Sequence, residues 1–125
     1  MNLTLLVVDD SKISRKVNMT TLREVLGEQI RCIEAVSGED ALATLAVQKV
    51  DLMVLDLTMP GMSGYDVLTA VKTRGIKVRT IVISADIQPL AKERVLQLGA
   101  IAFIQKPLSV ESLKSELERQ GVIHG

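Results

Sequence analysis

The sequence contains few cysteines and few aromatic residues, and it has no excess of charge of either sign. Its single cysteine, Cys32, excludes an internal disulfide and a CxxC metal knuckle. Aromatic residues make up 2% of the chain, which disfavours stacking on single-stranded nucleic acid. Fifteen Lys and Arg residues balance fifteen Asp and Glu residues, so no overall positive field attracts nucleic acid or an anionic membrane. We therefore expect neither a nucleic-acid partner nor a membrane partner.

Long hydrophobic runs are also missing. The longest, such as residues 3–8, fall far short of the roughly 20 residues that a membrane-spanning helix needs. The first residues have neither the basic region nor the cleavage site of a signal peptide, so the expected location is cytoplasmic. The length of 125 residues predicts a single domain over 1–125 with no output domain, and 47% hydrophobic residues supply an aliphatic core.

Five short runs rich in β-branched and aliphatic residues predict strands. Four of them are almost continuously apolar, as expected for parallel strands that are covered by helices on both faces. The second run alternates in polarity, which favours a strand at the edge of the sheet. The runs are residues 3–8, 30–35, 52–55, 80–84 and 100–104.

Segments with the helical spacing of apolar residues follow each of these runs. Serines precede four of the segments as candidate N-caps, at Ser11, Ser37, Ser63 and Ser109. Strand and helix alternate five times, so the sequence predicts an α/β fold with a doubly wound, five-stranded parallel sheet between two layers of helices. The apolar stripe predicted to face the core in the first helix consists of Ile13, Val17, Val25 and Leu26.

Charged and polar residues mark the ends of four predicted strands. In an open α/β sheet, ligands bind outside the carboxyl ends of the strands. Each residue alone has an ordinary explanation, such as capping of a helix by the first two carboxylates or a solvated lysine. Their occurrence together favours a functional site. The residues are Asp9 and Asp10 after the first strand, Asp56 after the third, Ser84 at the end of the fourth and Lys106 after the fifth.

Three carboxylates at one edge of a sheet repel one another unless a cation neutralises them. Mg²⁺ suits this set because it prefers oxygen ligands and leaves positions for phosphate oxygens, and no Cys and His ligand set for a transition metal is present. Lys106 and Ser84 add a positive charge and a hydroxyl donor for a tetrahedral anion. Together these residues indicate phosphoryl transfer, with Asp56 as the nucleophile.

Four segments extend this interpretation from single residues to motifs. They read VVDDS (7–11), VLDLTMPGMSG (54–64), VISAD (82–86) and FIQKP (103–107). In this order and spacing, the chain resembles the receiver domain of bacterial two-component response regulators over essentially its whole length, and most closely a stand-alone receiver of the chemotaxis type. The resemblance implies a flavodoxin-like (βα)5 fold with the strand order 2-1-3-4-5.

The resemblance also implies roles for residues at the carboxyl edge. It makes Asp56 the phosphoacceptor and Lys106 the lysine that contacts the phosphoryl group. The implied cofactor is Mg²⁺. Its implied ligands are Asp9, Asp10, Asp56 and the backbone carbonyl of Thr58.

Further positions are implied to control the response to phosphorylation. The hydroxyl and aromatic switch positions fall on Ser84 and Phe103. Two positions that tune the lifetime of the phosphoryl group fall on Thr58 and Asp86. The peptide bond before Pro107 is expected to be cis, an isomer that an X-Pro bond adopts at low cost.

The function that the resemblance implies is a phosphorylation-dependent signalling switch. The donor is expected to be a phosphohistidine on a histidine kinase or a phosphotransfer protein, and the only expected chemistry is self-catalysed phosphoryl transfer with slow autodephosphorylation. A separate effector protein is expected to bind the face formed by the fourth helix, the fifth strand and the fifth helix of a monomer or weak dimer. Motor control, a phosphorelay intermediate and a phosphate sink stay open as biological roles.

Two other functions use the same residues. One is a Mg²⁺-dependent phosphohydrolase with an aspartyl-phosphate intermediate, but the haloacid dehalogenase family requires a second Asp where this chain has Thr58. The other is a phosphorylation-independent interaction module that keeps the receiver fold without the switch. The filled site positions argue against this module, and a failure to bind Mg²⁺ would favour it.

Overall fold

Five strands alternate with five helices in the part of the chain that the computed structural model describes, which is residues 2–85 and 88–123. The strands are β1 (Thr4–Val8), β2 (Arg31–Ala35), β3 (Leu52–Leu55), β4 (Arg79–Ser84) and β5 (Ala102–Gln105). The helices are α1 (Lys12–Leu26), α2 (Gly38–Val47), α3 (Gly64–Thr73), α4 (Ala91–Gln97) and α5 (Val110–Arg119). Each predicted strand is present, with small shifts at its ends.

The strands pair in parallel in the order β2-β1-β3-β4-β5. This confirms the predicted doubly wound fold and its strand order. β2 lies at one edge of the sheet, as its alternating polarity predicted, and pairs with β1 in a register that sets Val8 opposite Ala35. The order reverses at β1 and β3, so the carboxyl ends of these two strands form the crevice in which such sheets bind ligands.

Alternate residues of the central strands face opposite layers of the protein. Leu6 and Val8 of β1 pack in the core beneath α2, α3 and α4. Leu5 and Val7 pack in the core beneath α1 and α5. All four side chains are at most 1% exposed. Burial on both faces explains why this strand is apolar at successive positions.

The orientation of α1 differs from the prediction. Ile13 and Val17, predicted to face the core, are 78% and 46% exposed, whereas Arg15 on the same helix is 8% exposed. The buried side of α1 combines this arginine with Leu22 and Leu26. Burial of Arg15 is tolerated because its guanidinium has hydrogen-bond partners inside the protein. Apolar periodicity contains no information about such partners, so the predicted stripe was wrong in the first half of the helix.

Serine side chains begin four of the helices, as predicted. Each hydroxyl accepts a hydrogen bond from the backbone N–H three residues later. α4 begins without a side-chain cap and has only 7 residues. Among the residues described here, no helix combines the length and the apolar composition that crossing a membrane requires.

Candidate functional site

The acidic pair follows β1 directly. Asp9 is 1% exposed, and its Oδ1 accepts the N–H of Ser11 at 2.9 Å while its Oδ2 accepts Nζ of Lys106 at 3.1 Å. The N–H of Asp9 donates to the carbonyl of Ala35 at 3.1 Å, which continues the pairing of β1 with β2. Asp10 is exposed. One carboxylate of the pair is therefore fixed inside the protein, and the other lies at its surface.

Asp56 follows β3 and is 6% exposed. Its N–H donates to the carbonyl of Val8 at 3.1 Å, so the ends of β1 and β3 lie side by side. Its Oδ1 accepts the N–H of Thr58 at 3.4 Å. One carboxylate oxygen from each of Asp9, Asp10 and Asp56 lies within 4.8 Å of the other two. The three carboxylates that were predicted to meet at this edge do meet there.

Burial raises the pKa of the Asp56 carboxyl above its ordinary value of 3.8, because the buried carboxylate loses hydration. The ammonium of Lys106 lowers this pKa, and the carboxylate of Asp9 raises it. The N–H of Thr58 lowers the pKa more weakly than Lys106 does, and the carboxylate of Asp10 raises it more weakly than Asp9 does. The upward effect dominates, so the site favours any ligand that neutralises the charge of Asp56.

Lys106 follows β5 and reaches both buried carboxylates. Its Nζ lies 3.1 Å from Oδ2 of Asp9 and 3.7 Å from Oδ2 of Asp56. Its backbone N–H donates to the carbonyl of Ser84 at 2.9 Å, which joins the ends of β4 and β5. Ser84 is 0% exposed. The peptide bond between Lys106 and Pro107 is cis, as the resemblance implies.

The remaining predicted positions lie around this centre or beyond the described residues. Thr58 is exposed and contacts Asp56 through its backbone. Phe103 lies within β5, opposite Val82, and packs partly buried against the core beneath α2, α3 and α4. Asp86 lies outside the described residues.

Gly64, the first residue of α3, supports the site and was not predicted from the sequence. Its N–H donates to the carbonyl of Leu57 at 3.0 Å. A Cβ at this position would lie 2.5 Å from the carbonyl oxygen of Asp56 and 2.7 Å from Cα of Leu57. Glycine is required here because the start of α3 presses on the backbone that carries Asp56. The available signal was the last glycine of the VLDLTMPGMSG segment.

Arg15 is a second residue at the site that was not predicted from the sequence. Its Nη1 donates to the backbone carbonyl of Asp9 at 2.8 Å, and its Nε pairs with Oε1 of Glu34 at 2.9 Å. The guanidinium thereby links α1, the segment after β1 and β2. No periodic or motif signal distinguished this arginine from a solvated one.

The donor set fits a divalent cation that prefers oxygen ligands. Among the described cationic side chains, Lys106 is the one paired with these carboxylates, so three negative charges face one positive charge. Both oxygens of Asp9 already accept hydrogen bonds, which leaves Asp10 and Asp56 as the more available donors. Mg²⁺ typically takes one or two carboxylates and keeps several waters. The residues present fit this ion.

The fold and this edge define a class of protein: a doubly wound α/β domain that presents a buried aspartate, an acidic pair and a lysine at the carboxyl ends of neighbouring strands. The chain belongs to the response regulator receiver domain family, whose sequence profile matches residues 5–118. Receiver domains are signalling switches of two-component systems and do not generally act as enzymes.

Known proteins similar to this chain include parts of much longer ones. A probable cyclic di-GMP phosphodiesterase of Vibrio cholerae is 36% identical over 118 residues, which cover 91% of this chain and 25% of that protein. The sensor histidine kinase RcsC of Escherichia coli is 31% identical over 116 residues, which cover 93% of this chain and 12% of that protein. Among solved structures, the Vibrio cholerae chemotaxis protein CheY4 is 26% identical with a TM-score of 0.82, covering 95% of this chain and 98% of that one. This chain therefore spans a quarter or less of both curated relatives.

Proposed function

We propose that this chain is a phosphorylation-dependent switch that accepts a phosphoryl group on Asp56 from a phosphohistidine donor. The observation that carries the proposal is the surroundings of this carboxylate. Asp56 is 6% exposed, shares a 4.8 Å cluster with two other carboxylates and lies 3.7 Å from Nζ of Lys106. A side chain needed only for capping or solubility gains nothing from such a position, whereas a phosphoacceptor needs it.

The proposed transfer is a displacement at phosphorus. An oxygen of Asp56 forms a bond to phosphorus, the bond between phosphorus and the imidazole nitrogen breaks, and the imidazole leaves with the electron pair of that bond. Lys106 faces Oδ2 of Asp56, so its charge stabilises the negative charge on the phosphoryl oxygens. The backbone N–H of Thr58 holds Oδ1 and orients the carboxylate.

The proposed cofactor is Mg²⁺, held by Asp10, Asp56 and the carbonyl of Thr58, with Asp9 beside them. When bound, the ion supplies positive charge that offsets the carboxylates and the phosphoryl group. Asp9 holds Lys106 and the start of α1 through its two oxygens, which keeps the lysine next to the phosphoacceptor.

The proposed readout is a change of the face formed by α4, β5 and α5, to which an effector protein binds. The added charge on Asp56 draws Lys106 and the hydroxyl of Ser84 toward it, and Phe103 of β5 follows. One element of this face, α4, carries the exposed apolar side chain of Leu96, which is 40% exposed. The change in effector affinity equals the difference in interaction free energy between the two states.

The proposed donor surface is an apolar cleft beside the site. The cleft has a volume of about 330 Å³ and lies between α1 and the segment after β5, where it is lined by Ile13, Val17, Lys106 and Pro107 among others. Contiguous exposed apolar side chains are typical of interaction sites. Lys106 lines the cleft and also contacts two of the clustered carboxylates, so a donor protein that binds there brings its phosphohistidine close to Asp56.

Finer features of the function remain part of the proposal. They are a single domain over 1–125, a stand-alone role of the chemotaxis type, a cytoplasmic location and a monomer or weak dimer. Similarity to CheY4 over nearly the whole of that chain supports the stand-alone role. Thr58 and Asp86 are the proposed determinants of phosphoryl lifetime.

The experiment is intact-mass measurement after incubation with Mg²⁺ and a small-molecule phosphodonor. The wild type is compared with Asp56→Asn and with the matched control Asp51→Asn, at the other end of β3, whose carboxylate accepts the N–H of Thr4 at 2.8 Å. We expect one added phosphoryl group in the wild type and in Asp51→Asn, none in Asp56→Asn, and none in any of them with a chelator.

Each alternative function gives a different result. Rapid multiple turnover of small phosphate esters would identify a phosphohydrolase, although the side chain of Thr58 cannot act as the second carboxylate of such an enzyme. Absence of both phosphorylation and Mg²⁺ binding in the folded wild type would identify a phosphorylation-independent module.

A further inference from the structure

Arg15 is a buried cation whose partners surround the acidic pair. Its side chain is 10% exposed, although α1 also carries exposed apolar residues that would otherwise be expected to face inward. Nη1 donates to the backbone carbonyl of Asp9 at 2.8 Å, and Nε donates to Glu34 of β2 at 2.9 Å. The side chain of Glu34 is 46% exposed, so the ion pair alone contributes little to stability.

The carbonyl of Asp9 lies in a gap between regular elements. β1 ends at Val8, and the first hydrogen bond of α1 runs from the N–H of Arg15 to the carbonyl of Ser11. The N–H of Asp9 is held by the carbonyl of Ala35 on β2. The guanidinium of Arg15 donates to the carbonyl of the same residue, so both backbone polar groups of Asp9 are held by hydrogen bonds.

This carbonyl belongs to the peptide group that leads to Asp10. The orientation of that peptide group sets the direction in which the Asp10 carboxylate leaves the chain, and Asp10 itself is exposed. We infer that Arg15 is a positioning residue for the acidic pair, which it holds in the geometry that binds Mg²⁺, with Glu34 as its anchor on β2. The inference rests on the proposed function, because it assumes that the acidic pair binds the ion.

The test compares Mg²⁺ affinity, measured by calorimetric titration, in the wild type and in Arg15→Met. Methionine keeps the length and apolar character of the side chain and removes both hydrogen bonds. We expect Mg²⁺ binding about tenfold weaker, since loss of a group that orients a metal ligand typically costs 10–100-fold in metal affinity. The Mg²⁺ concentration for half-maximal phosphorylation should rise by the same factor, while the rate at saturating Mg²⁺ stays near that of the wild type.

The matched control is Thr21→Val, which changes another buried polar side chain of α1. The hydroxyl of Thr21 donates to the carbonyl of Val17 at 3.0 Å, away from the acidic pair. We expect this variant to lose stability without a change in Mg²⁺ affinity. If Arg15→Met likewise loses only stability, Arg15 is a structural ion pair and the inference is overturned.

Two further variants keep the test decisive if Arg15→Met does not fold. Arg15→Lys retains the charge without the fork of donors, and Glu34→Ala removes the anchor alone. Weaker Mg²⁺ binding is expected in both, with the smaller loss in Glu34→Ala, and wild-type affinity in both overturns the inference. If the wild type itself neither binds Mg²⁺ nor accepts a phosphoryl group, the proposed function fails along with it. If the wild type does both and the Arg15 variants match it, only the inference fails.

Discussion

At the scale of residues, the carboxyl of Asp56 lies in surroundings that disfavour its ionised form. Burial raises the pKa of its carboxyl, and the neighbouring carboxylate of Asp9 adds to that effect against the opposing ammonium of Lys106. Neutral packing would be more stable, since a buried carboxylate without full compensation costs free energy. The same surroundings favour every event that removes the charge or balances it with a cation. The destabilising feature of the free protein is therefore also the driving force for ligand binding at the site.

The raised pKa of Asp56 predicts how the stability of the protein depends on pH. Because the folded-state pKa of Asp56 is above its ordinary value of 3.8, its ionisation stabilises the unfolded state relative to the folded one, and the free energy of unfolding falls as pH rises through that interval. Asp56→Asn lacks this titration. In the presence of a chelator, we expect the variant to be more stable than the wild type at pH 7 by on the order of 1 kcal/mol, the common scale of single substitutions.

Urea unfolding at several pH values measures this difference. The advantage of Asp56→Asn should shrink as pH falls toward 3.8 and level off below that value, where Asp56 becomes protonated in the unfolded state as well. Added Mg²⁺ should stabilise the wild type more than the variant at pH 7, since the ion binds the folded state. A variant that is less stable than the wild type at pH 7 would show that Asp56 is fully compensated by its partners.

At the scale of elements, the start of α3 supports the backbone that carries Asp56. Ser63 caps this helix and Asp66 completes a capping box, so the helix begins firmly at Gly64. Its first turn lies directly against the backbone of Asp56 and Leu57. The position of Asp56 therefore depends on the packing of a helix that contributes no side chain to the carboxylate cluster.

Substitution of Gly64 tests this dependence. Gly64→Ala should destabilise the protein by about 1–3 kcal/mol, the usual cost of overpacking, and slow phosphorylation, because the new Cβ meets backbone atoms that cannot rotate away. Gly38→Ala is the matched control, at the first residue of α2, where the new Cβ would lie 2.7–2.9 Å from Cβ, Cγ and Sδ of Met62, so that stability should also fall while phosphorylation stays near that of the wild type. Urea unfolding and phosphorylation by a small-molecule donor measure both effects. Equal slowing of phosphorylation in the two variants would contradict a special role for Gly64.

The elements also show what the sequence could and could not predict. Strands and serine caps are local signals, since an apolar run such as residues 52–55 or a serine before a helix acts through nearby backbone, and both were predicted correctly. The carboxylate cluster was predictable because parallel strands deliver their carboxyl ends to one edge. Which side of α1 faces the core was not predictable, because the burial of Arg15 depends on Glu34 of β2, which is distant in sequence. The role of Gly64 was not predictable either, because this role depends on the contact between α3 and the segment that follows β3.

At the scale of the whole molecule, two unlike surfaces adjoin each other at the carboxyl edge of the sheet. One is the acidic cluster, and the other is the apolar cleft beside α1 that Ile13 and Val17 line. Ile13 and Val17, which were predicted to face the core, are exposed and line this cleft instead. A small phosphodonor needs only the first surface, whereas a protein donor of the proposed kind uses both. The two surfaces can therefore be separated by experiment.

Ile13→Gln separates them, because Ile13 is 78% exposed and its replacement leaves the core and the carboxylates intact. Phosphorylation by a small-molecule donor should match the wild type. Transfer from a phosphorylated histidine phosphotransfer domain that is active on the wild type should fall about tenfold, which corresponds to a loss of about 1.4 kcal/mol of binding. Val47→Gln, at an 86% exposed position on α2, should match the wild type with both donors. Equal transfer to all three proteins would exclude the cleft as the donor surface, and a loss with both donors would show that Ile13 supports the site itself.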